Sequence, residues 1–219
     1  MFYSWIILEN TVSEKVDSME SHIYQISTNR PSEGLYIGNF HRKGTIGPDS
    51  FAQLTWYPKT GLHLTMWSYD KSPLAKYENN SDPIHEDSCM ACFINVFPRY
   101  RYKGYISLEI NANGVCRCSF GTNETDRKSI TEWGLPLPQV MILHPTRDGG
   151  QCWMVKTVIS KEMIKTLYQL SANLPTGHQM RSNFYSYCES IEKPYWGSWA
   201  PINKPNCHMP EFFGLLEIV

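Results

Sequence analysis

The chain has 219 residues, of which 42% are hydrophobic and 19% charged, and its formal net charge at pH 7 is -1. This length and composition predict one globular domain over residues 1–219, large enough to bury a sizeable core. A charge so close to zero, with no basic cluster longer than Arg99 to Lys103, excludes the broad positive surface that binds nucleic-acid backbones or anionic membranes.

The first fifteen residues, "MFYSWIILENTVSEK", contain a short apolar run. They lack the basic leader and small-residue cleavage site of a signal peptide, so we interpret them as a first strand. No other run approaches the ~20 apolar residues that a membrane-spanning helix needs. The sequence therefore predicts a soluble cytoplasmic protein, and it leaves the oligomeric state open.

Short segments in which apolar residues recur at every second position dominate the rest of the chain, a pattern typical of strands. Turn formers separate them, and Asn113-Gly114 between two of them predicts a hairpin. We therefore predict an all-β fold, an antiparallel β-sandwich. The segments are "FAQLTWY", "GLHLTMWSY", "MACFINVF", "GYISLEINA", "VCRCSFG", "QVMILH" and "CWMVKTVIS".

One segment predicts a helix near residues 160–170. In "SKEMIKTLYQL", Ser160 is placed to cap the N-terminus and Glu162 lies in the first turn. Ile164, Leu167 and Tyr168 then follow at helical spacing.

Seven cysteines in a chain of this size favour reduced thiols over a disulfide framework. Cys89 and Cys92 resemble half of a zinc site, as do Cys116 and Cys118. Both pairs lie in predicted strands, where residues three apart point to opposite faces, so Cys89 and Cys92 could not bind one ion without a turn. We interpret these cysteines as small buried side chains.

Catalytic motifs are weak. The seven histidines lack the spacing of a helical zinc site, and the chain has no Gly-rich phosphate loop and no nucleophile elbow. A carboxylate pair for glycosidic acid/base chemistry could be drawn from four residues, although solvated or structural roles are the simpler interpretation. The four are Glu86, Asp87, Asp126 and Glu211.

Two further segments each allow two interpretations. "FPRYRYKGY" (97–105) alternates aromatic and basic residues, as in single-strand nucleic-acid grooves. An exposed hairpin with cation–π pairs is the interpretation that the neutral chain favours.

"ENNSDPIHEDS" (78–88) is rich in oxygen ligands suited to calcium, but its spacing matches no fixed calcium loop. No cofactor is therefore predicted, and calcium stays open.

The aromatic tail is the most informative segment. "EKPYWGSWAPINKPNCHMPEFFG" (192–214) holds Trp196, Trp199 and Tyr195 among four prolines. Such a segment predicts a rigid surface loop. Tryptophan is costly to expose unless something stacks on it, and the apolar faces of sugars are suitable partners. A sugar site also needs polar groups at its rim. Core packing is the competing interpretation for each tryptophan.

Two blocks of sequence carry a family resemblance. The tail "RSNFYSYCESIEKPYWGSWAPINKPNCHMPEFFGLLEI" is similar to the C-terminal signature of stand-alone bacterial proteins of the carbohydrate-binding family 9 type. There, an Arg-x-Asn-Phe-Tyr strand leads to Ser-Trp-Asn-Pro and His-x-Pro-Glu-Phe-Phe-Gly. "IHEDSCMACFINVF" with "GYISLEINANGVCRCSFGTNETDR" resembles a second block of the family, and the two span roughly residues 50–219.

The resemblance implies an immunoglobulin-like or jelly-roll β-sandwich that holds a sugar between aromatic side chains in a cleft at one end, without catalysis. It also implies two tryptophans around a terminal sugar, and structural calcium in modules attached to xylanases. In this chain it places Trp199 as the stacking platform, Arg127 and Asn183 as donors to hydroxyls, and His208 and Glu211 as braces of the loop. The implied ligand-binding residues are Trp199, Trp196, Arg127, Asn183, Arg181, His208 and Glu211.

Departures from the family pattern leave alternatives open. Ala91 stands where the family has Glu, and Ala200 replaces the Asn of Ser-Trp-Asn-Pro. The second aromatic wall could be Trp67, Tyr100, Trp133 or Trp196. A carbohydrate-binding protein is the prediction; a glycan-processing hydrolase with a carboxylate pair and a protein-interaction domain with a flat aromatic patch are the alternatives.

Overall fold

The structure is a computed structural model that describes residues 23–41, 46–100, 104–147 and 149–219. Two mainly antiparallel sheets dominate these residues, which confirms the predicted β-sandwich. The strands are β1 Tyr24–Ile26, β2 Leu35–Tyr36, β3 Asn39–Phe40, β4 Ser50–Tyr57, β5 Gly61–Ser68, β6 Cys89–Asn95, β7 Tyr105–Asn111, β8 Cys116–Gly121, β9 Lys128–Ser129, β10 Met141–Leu143, β11 Thr146–Arg147, β12 Gly150–Gln151, β13 Trp153–Ser160, β14 Gln179–Cys188, β15 Tyr195–Ser198 and β16 Gly214–Ile218.

The larger sheet has nine strands in the order β1-β16-β14-β6-β7-β8-β9, with β15 paired to β14 and β3 paired to β15. The second sheet has five, in the order β10-β13-β5-β4-β2, and β11 with β12 forms a separate ribbon. Strands β1 and β16 run parallel, while the other strand pairs are antiparallel.

The hairpin predicted at Asn113-Gly114 is confirmed, because it joins β7 to β8. Gly114 has φ +85°, a conformation that side chains with a Cβ rarely adopt. The turn also receives support from Asn111, whose side-chain oxygen accepts from the Val115 N–H at 2.8 Å. This hairpin lies beside β6 in the larger sheet.

The main core lies between the two sheets, with Trp56 and Trp153 among its largest fully buried side chains. Strand β6 shows how the larger sheet divides its side chains. Met90, Cys92 and Ile94 enter the main core, whereas Cys89, Ala91 and Phe93 point to the opposite face. Both faces of this sheet are therefore apolar, and both are covered.

The predicted helix is confirmed as α1, Lys161–Tyr168. Ser160 caps it by accepting from the Met163 N–H at 3.1 Å. Its last residue, Tyr168, is fully buried, and the hydroxyl accepts from the Val96 N–H at 3.1 Å and lies 3.3 Å from the carbonyl of Gly104. The helix thereby holds the segments that end β6 and begin β7.

The C-terminal segment covers the outer face of the nine-stranded sheet. Ile202, Cys207 and Phe213 pack there on side chains from β6, β7, β14 and β15. We call this second apolar group the outer cluster. Its members are Cys89, Ala91, Phe93, Tyr105, Tyr185, Tyr187, Trp196, Ile202, Cys207 and Phe213.

The prediction of a surface loop for the aromatic tail is wrong over Tyr195–Ser198, which form the buried strand β15. The flanking prolines, Pro194 and Pro201, lie outside the strand, so none of its hydrogen bonds requires a proline N–H. Trp196 is only 3% exposed and stacks on Tyr187 with ring centroids 5.8 Å apart. The core interpretation holds for this tryptophan.

The predicted burial of the cysteines, and the placing of Cys89 and Cys92 on opposite faces of a strand, are confirmed. All seven cysteines are buried and free of disulfides, and Cys89 and Cys92 lie on opposite faces of β6. Among the described residues, no three His, Cys, Asp or Glu side chains are placed to hold a metal ion.

Two other predictions lie wholly or partly outside these ranges. The strand predicted for the first fifteen residues falls outside the described part of the chain, and a single domain over residues 1–219 stays a prediction. In the part of the chain that the structure describes, no helix is long and apolar enough to cross a membrane.

Candidate functional site

A depression of about 520 Å³ opens at the edge of the outer cluster, where β6, β7 and β14 meet the C-terminal segment. We call it the cleft. The buried rings of Tyr105 and Phe213 lie at its floor, Pro98 and Pro210 add partly exposed apolar surface, and its polar groups come from four different segments. These polar residues are Asn95, Thr122, Arg181 and Glu211.

Strand register places two of the polar residues side by side. Arg181 of β14 pairs directly with Asn95 of β6. The Arg181 guanidinium donates to the carbonyl of Phe213 at 3.0 Å, which fixes the C-terminal segment against the sheet. Glu211 follows in the short 3-10 turn Pro210–Phe212, and its side chain is exposed. The cleft therefore has both a cation and an anion at its rim.

The loop after β8 brings Thr122 to the cleft and Arg127 beneath it. Gly121 is required at the start of this loop, because a Cβ there would lie 2.5 Å from the Cα of Arg127. The Asp126 carboxylate accepts from the N–H groups of Thr122 at 2.8 Å and Asn123 at 3.0 Å. The Thr122 hydroxyl also donates to this carboxylate, and that bond, followed by those from the two N–H groups, lowers the pKa of Asp126; together they hold the loop closed.

Arg127 connects this loop to the floor of the cleft. Its guanidinium lies over the Tyr105 ring at 5.2 Å and near the Phe93 ring at 5.5 Å. It donates to the Ser107 hydroxyl and to Nδ1 of His208, and its Nη1 lies 3.3 Å from the Tyr105 hydroxyl. The arginine therefore fixes the position of the Tyr105 ring.

His208 is neutral in this setting. Burial, followed by the charge of Arg127, lowers its pKa from 6.5 to about 4. Since a guanidinium can only donate, Nδ1 must be the unprotonated acceptor and the ring proton lies on Nε2. The Tyr105 hydroxyl is 3.0 Å from the same Nδ1 atom. Burial raises the pKa of Tyr105 to about 12, so its phenol stays protonated.

Comparison with known proteins identifies the family. The family model for carbohydrate-binding family 9 matches residues 57–218. The chain belongs to carbohydrate-binding family 9. It is thus a carbohydrate-binding module, as the sequence resemblance predicted. No curated protein sequence matches the chain.

Solved structures share the fold of this family 9 module. A Bacteroides uniformis protein for which carbohydrate binding is proposed has a TM-score of 0.69 at 20% identity, covering 85% of this chain and 86% of that one. A family 9 module from Caldicellulosiruptor kristjanssonii in complex with glucose has a TM-score of 0.58 at 12% identity, with 89% and 94% covered. A family 9 module from the same organism in complex with cellotriose has a TM-score of 0.54 at 13% identity, covering 89% of this chain and 92% of that one.

Four of the seven predicted site residues come together in the family 9 module. Arg181 and Glu211 line the cleft, and Arg127 and His208 hold its Tyr105 ring from below. The role that the resemblance implied for Arg127, as a donor to sugar hydroxyls, therefore changes. Arg127 orients an aromatic ring instead of standing at the rim, where Arg181 and Glu211 are the charged groups.

The other three predicted residues lie elsewhere. Asn183 is fully buried, and its side-chain amide bonds to the backbone of Ala200 and Phe184, so it cannot donate to a ligand. Trp199 packs on Phe184, 5.8 Å between centroids, and so contacts the main core. Trp196 belongs to the outer cluster. Trp196 and Trp199 are three positions apart on extended chain and point to opposite faces of the sheet.

The four candidates for a second aromatic wall lie in different parts of the protein. Trp67 is buried on the five-stranded sheet, stacked on Phe51 at 5.3 Å. Trp133 is 38% exposed beside Phe120, with its ring 5.7 Å away. Tyr100 is 40% exposed and lies next to Pro98, which lines the cleft. Of the four candidates, Tyr100 is therefore the one beside the site.

At Ala91, where the resemblance expects Glu, the adjacent strand supplies a carboxylate. Ala91 is fully buried in the outer cluster and pairs with Glu109 of β7 on one side and Tyr185 of β14 on the other. Glu109 accepts from the Tyr187 hydroxyl at 2.9 Å. This carboxylate braces the outer cluster.

The acidic segment 78–88 does not fit a calcium cage. Both oxygens of Asp87 accept from donors of the protein, the N–H groups of Lys76 and Tyr77 and the amide of Asn111. Asp82 accepts from the backbone of Asn79 at 2.9 Å. These carboxylates close turns in the chain itself, an arrangement that leaves them poorly placed as calcium ligands.

Sequence reasoning missed Asn95, Tyr105, Thr122 and Phe213. Tyr105 and Phe213 lie within the segments that carried the resemblance, so the motifs contained the signal without singling them out. For Tyr105, the structure shows a cation–π contact with Arg127, which comes from the loop after β8. Arg101 to Lys103 lie outside the described residues.

The lowered pKa of His208 predicts a pH-dependent stability. In the unfolded chain this histidine titrates near 6.5 and in the folded protein near 4, so unfolding takes up a proton between these values. The contribution is present above pH 6.5 and is lost as the pH falls toward 4. Allowing for the partial exposure of the ring, we expect the free energy of unfolding to lose about 2 kcal/mol through this group.

Urea unfolding of the wild type and His208→Gln at pH 7.5 and pH 4.5 measures this contribution. Other titrating groups affect both proteins alike, so the wild type should lose more stability on acidification than the variant does. Equal losses would contradict a buried neutral His208.

Proposed function

We propose that this family 9 module holds a mono- or oligosaccharide in the cleft and leaves it chemically unchanged. The observation that carries the proposal is the composition of the cleft. Pro98 and Pro210 offer partly exposed apolar surface above the buried rings of Tyr105 and Phe213, while Asn95, Arg181 and Glu211 offer hydrogen-bonding groups around it. Sugars present apolar C–H faces and a fixed set of hydroxyls, so they need both kinds of surface at once.

The polar groups complement sugar hydroxyls in both directions. Arg181 can only donate, the Glu211 carboxylate can only accept, and Asn95 can do both. Since Glu211 and Arg181 are exposed, their free hydrogen-bonding capacity faces the solvent from which a ligand arrives. Beneath these groups the buried Tyr105 ring is held by Arg127 and His208, so the floor of the cleft is formed before any ligand binds, which reduces the entropy cost of binding.

A hydrolase would need a second carboxylate across the cleft. Among the described residues that line it, Glu211 is the one acidic side chain. The other three candidate carboxylates bond within their own segments. Asp87 is buried and accepts from the Tyr77 N–H, Asp126 accepts from the Thr122 N–H, and Glu86 accepts from the Tyr77 hydroxyl at 2.5 Å. The geometry therefore favours binding without hydrolysis.

Isothermal titration calorimetry with glucose, galactose, mannose, xylose and cellotriose tests the proposal. Glucose and cellotriose are included because solved family 9 modules hold them. We expect saturable binding of at least one sugar by the wild type, and at least a tenfold loss of affinity in Arg181→Ala and Glu211→Ala, which corresponds to about 1.4 kcal/mol each.

Arg30→Ala is the matched control, because Arg30 is an exposed arginine that does not line the cleft. Glu211→Ala guards against a structural artefact, since Arg181 also fixes the C-terminal segment. A wild type that binds none of these sugars, or variants that bind as tightly as the wild type, would contradict the proposal.

A further inference from the structure

Two separate segments of the chain border the cleft. Thr122 lies in the loop after β8, and Glu211 lies in the segment that connects β15 to β16. In the order of the nine-stranded sheet, β14, β6 and β7 lie between β16 and β8. Four spacings of about 4.8 Å therefore put β8 about 19 Å from β16. Among the described strand pairs, none joins these two strands, so the separation of the two segments depends on side chains.

A contact between Arg127 and His208 joins the two segments. Arg127 belongs to the loop after β8, and its Nη1 donates to Nδ1 of His208. Its Nη2 donates to the Ser107 hydroxyl of β7. The His208 ring meets the Phe93 ring of β6 edge-on, with 5.0 Å between centroids. The contact is therefore fixed to two of the strands that separate β8 from β16.

A shift of His208 is passed to the rim of the cleft. His208 precedes Glu211 by three positions, and Pro210 between them has a fixed φ. The N–H of Phe212 donates to the Met209 carbonyl at 3.0 Å, which closes the turn that carries Glu211. His208 and the Glu211 carboxylate thus belong to one short and constrained piece of chain.

The loop after β8 is connected to Arg127 in a similar way. The carboxylate of Asp126, the neighbour of Arg127 in the chain, accepts from the Thr122 N–H at 2.8 Å. Neither Arg127 nor His208 is among the described residues that line the cleft. The two residues can therefore act on a ligand only through the rim residues that they place.

We infer that Arg127 and His208 are a positioning pair that determines sugar specificity, because their contact fixes the separation of Thr122 and Glu211 across the cleft. This inference rests on the proposed function of the cleft. Epimers differ in the direction of a single hydroxyl, so a rim of fixed separation fits one of them better than the others. A rim of variable separation accommodates several ligands, as flexible surfaces do in promiscuous binders. It also binds each of them more weakly, because binding must then order the rim.

Breaking the contact from either end tests the inference. Arg127→Met removes the donor and His208→Leu removes the acceptor, whereas His208→Gln keeps an acceptor in its side-chain amide. Titration calorimetry with glucose, its epimers galactose and mannose, and xylose gives the affinities. In the Met and Leu variants we expect the best-bound sugar to lose about tenfold in affinity and the others to lose less, so that the preference falls about threefold. His208→Gln should recover most of both losses.

His63→Leu is the matched control, since His63 lies on the five-stranded sheet and does not line the cleft. It should change neither the affinities nor the preference. Urea unfolding establishes beforehand that each variant is folded at the temperature of the titration. A lower stability of a protein that is still folded does not by itself change which sugar it prefers.

Met and Leu variants that keep the wild-type preference would overturn the inference and leave the proposed function of the cleft intact. So would a His208→Gln variant that loses as much as His208→Leu. Failure of both Arg127→Met and His208→Leu to fold would also overturn it, because the contact would then serve the stability of the fold. A wild type that binds none of the sugars would instead contradict the proposed function.

Discussion

Replacement of Asp87 by alanine is expected to lower the free energy of unfolding by about 3 kcal/mol. The carboxylate is fully buried and accepts from the N–H of Lys76 at 2.8 Å, the N–H of Tyr77 at 3.0 Å and Nδ2 of Asn111 at 2.9 Å. Removal of the acceptor leaves these donors without their partner, and the cost of leaving buried polar groups unpaired exceeds the net value of the bonds lost.

The matched control is Glu78→Ala, an exposed carboxylate of the same segment. It should change the free energy of unfolding by less than about 0.5 kcal/mol. Urea unfolding of both variants at pH 7.5 measures the difference. If Asp87→Ala were as stable as Glu78→Ala, the loop 76–77 would not depend on this carboxylate.

Trp196→Ala should lower the free energy of unfolding by about 3–4 kcal/mol, the usual cost of removing a large aromatic side chain from a core. Trp196 is 3% exposed, stacks on Tyr187 at 5.8 Å and contacts Tyr185 at 5.2 Å. The ring packs on two tyrosines of β14, so its removal leaves a cavity in the outer cluster.

Trp133→Ala is the control, since Trp133 is 38% exposed, and it should cost about 1 kcal/mol. Both variants are compared by urea unfolding and by sugar titration. Trp196→Ala with wild-type stability and no sugar affinity would contradict the core assignment and restore this tryptophan as a binding platform.

Local pattern was sufficient for much of the fold. The alternation in "MACFINVF" predicted a strand that serves two faces, and β6 sends Cys92 to the main core and Phe93 to the outer cluster. Ser160 and the Asn113-Gly114 turn act through neighbours two to four residues away. Such signals depend on the local chain and can be recognised without knowing the tertiary structure.

The aromatic tail shows where local pattern failed. Its prolines indicated a loop, but Pro194 and Pro201 flank a strand whose four residues are all buried. Side chains along extended chain point alternately to the two faces of a sheet. Trp196 and Trp199 therefore lie on opposite faces, as Cys89 and Cys92 do. Pairing of β15 with β14, and cover by Ile202 and Cys207, are long-range effects that no short window contains.

The candidate site could be predicted from the sequence only in part, because its residues come from distant segments of the chain. The resemblance supplied Arg127, Arg181, His208 and Glu211, and the structure brings these four around one cleft. Asn95 enters through its register with Arg181, across more than eighty residues of chain. Sequence spacing does not encode that register.

A crystal structure of the protein grown with the best-binding sugar tests the central claim most directly. We expect the sugar in the cleft, with its apolar face on Pro98 and Pro210 and its hydroxyls bonded to Arg181 and Glu211. A sugar bound instead at Trp199, at Trp133 or on the five-stranded sheet would contradict it.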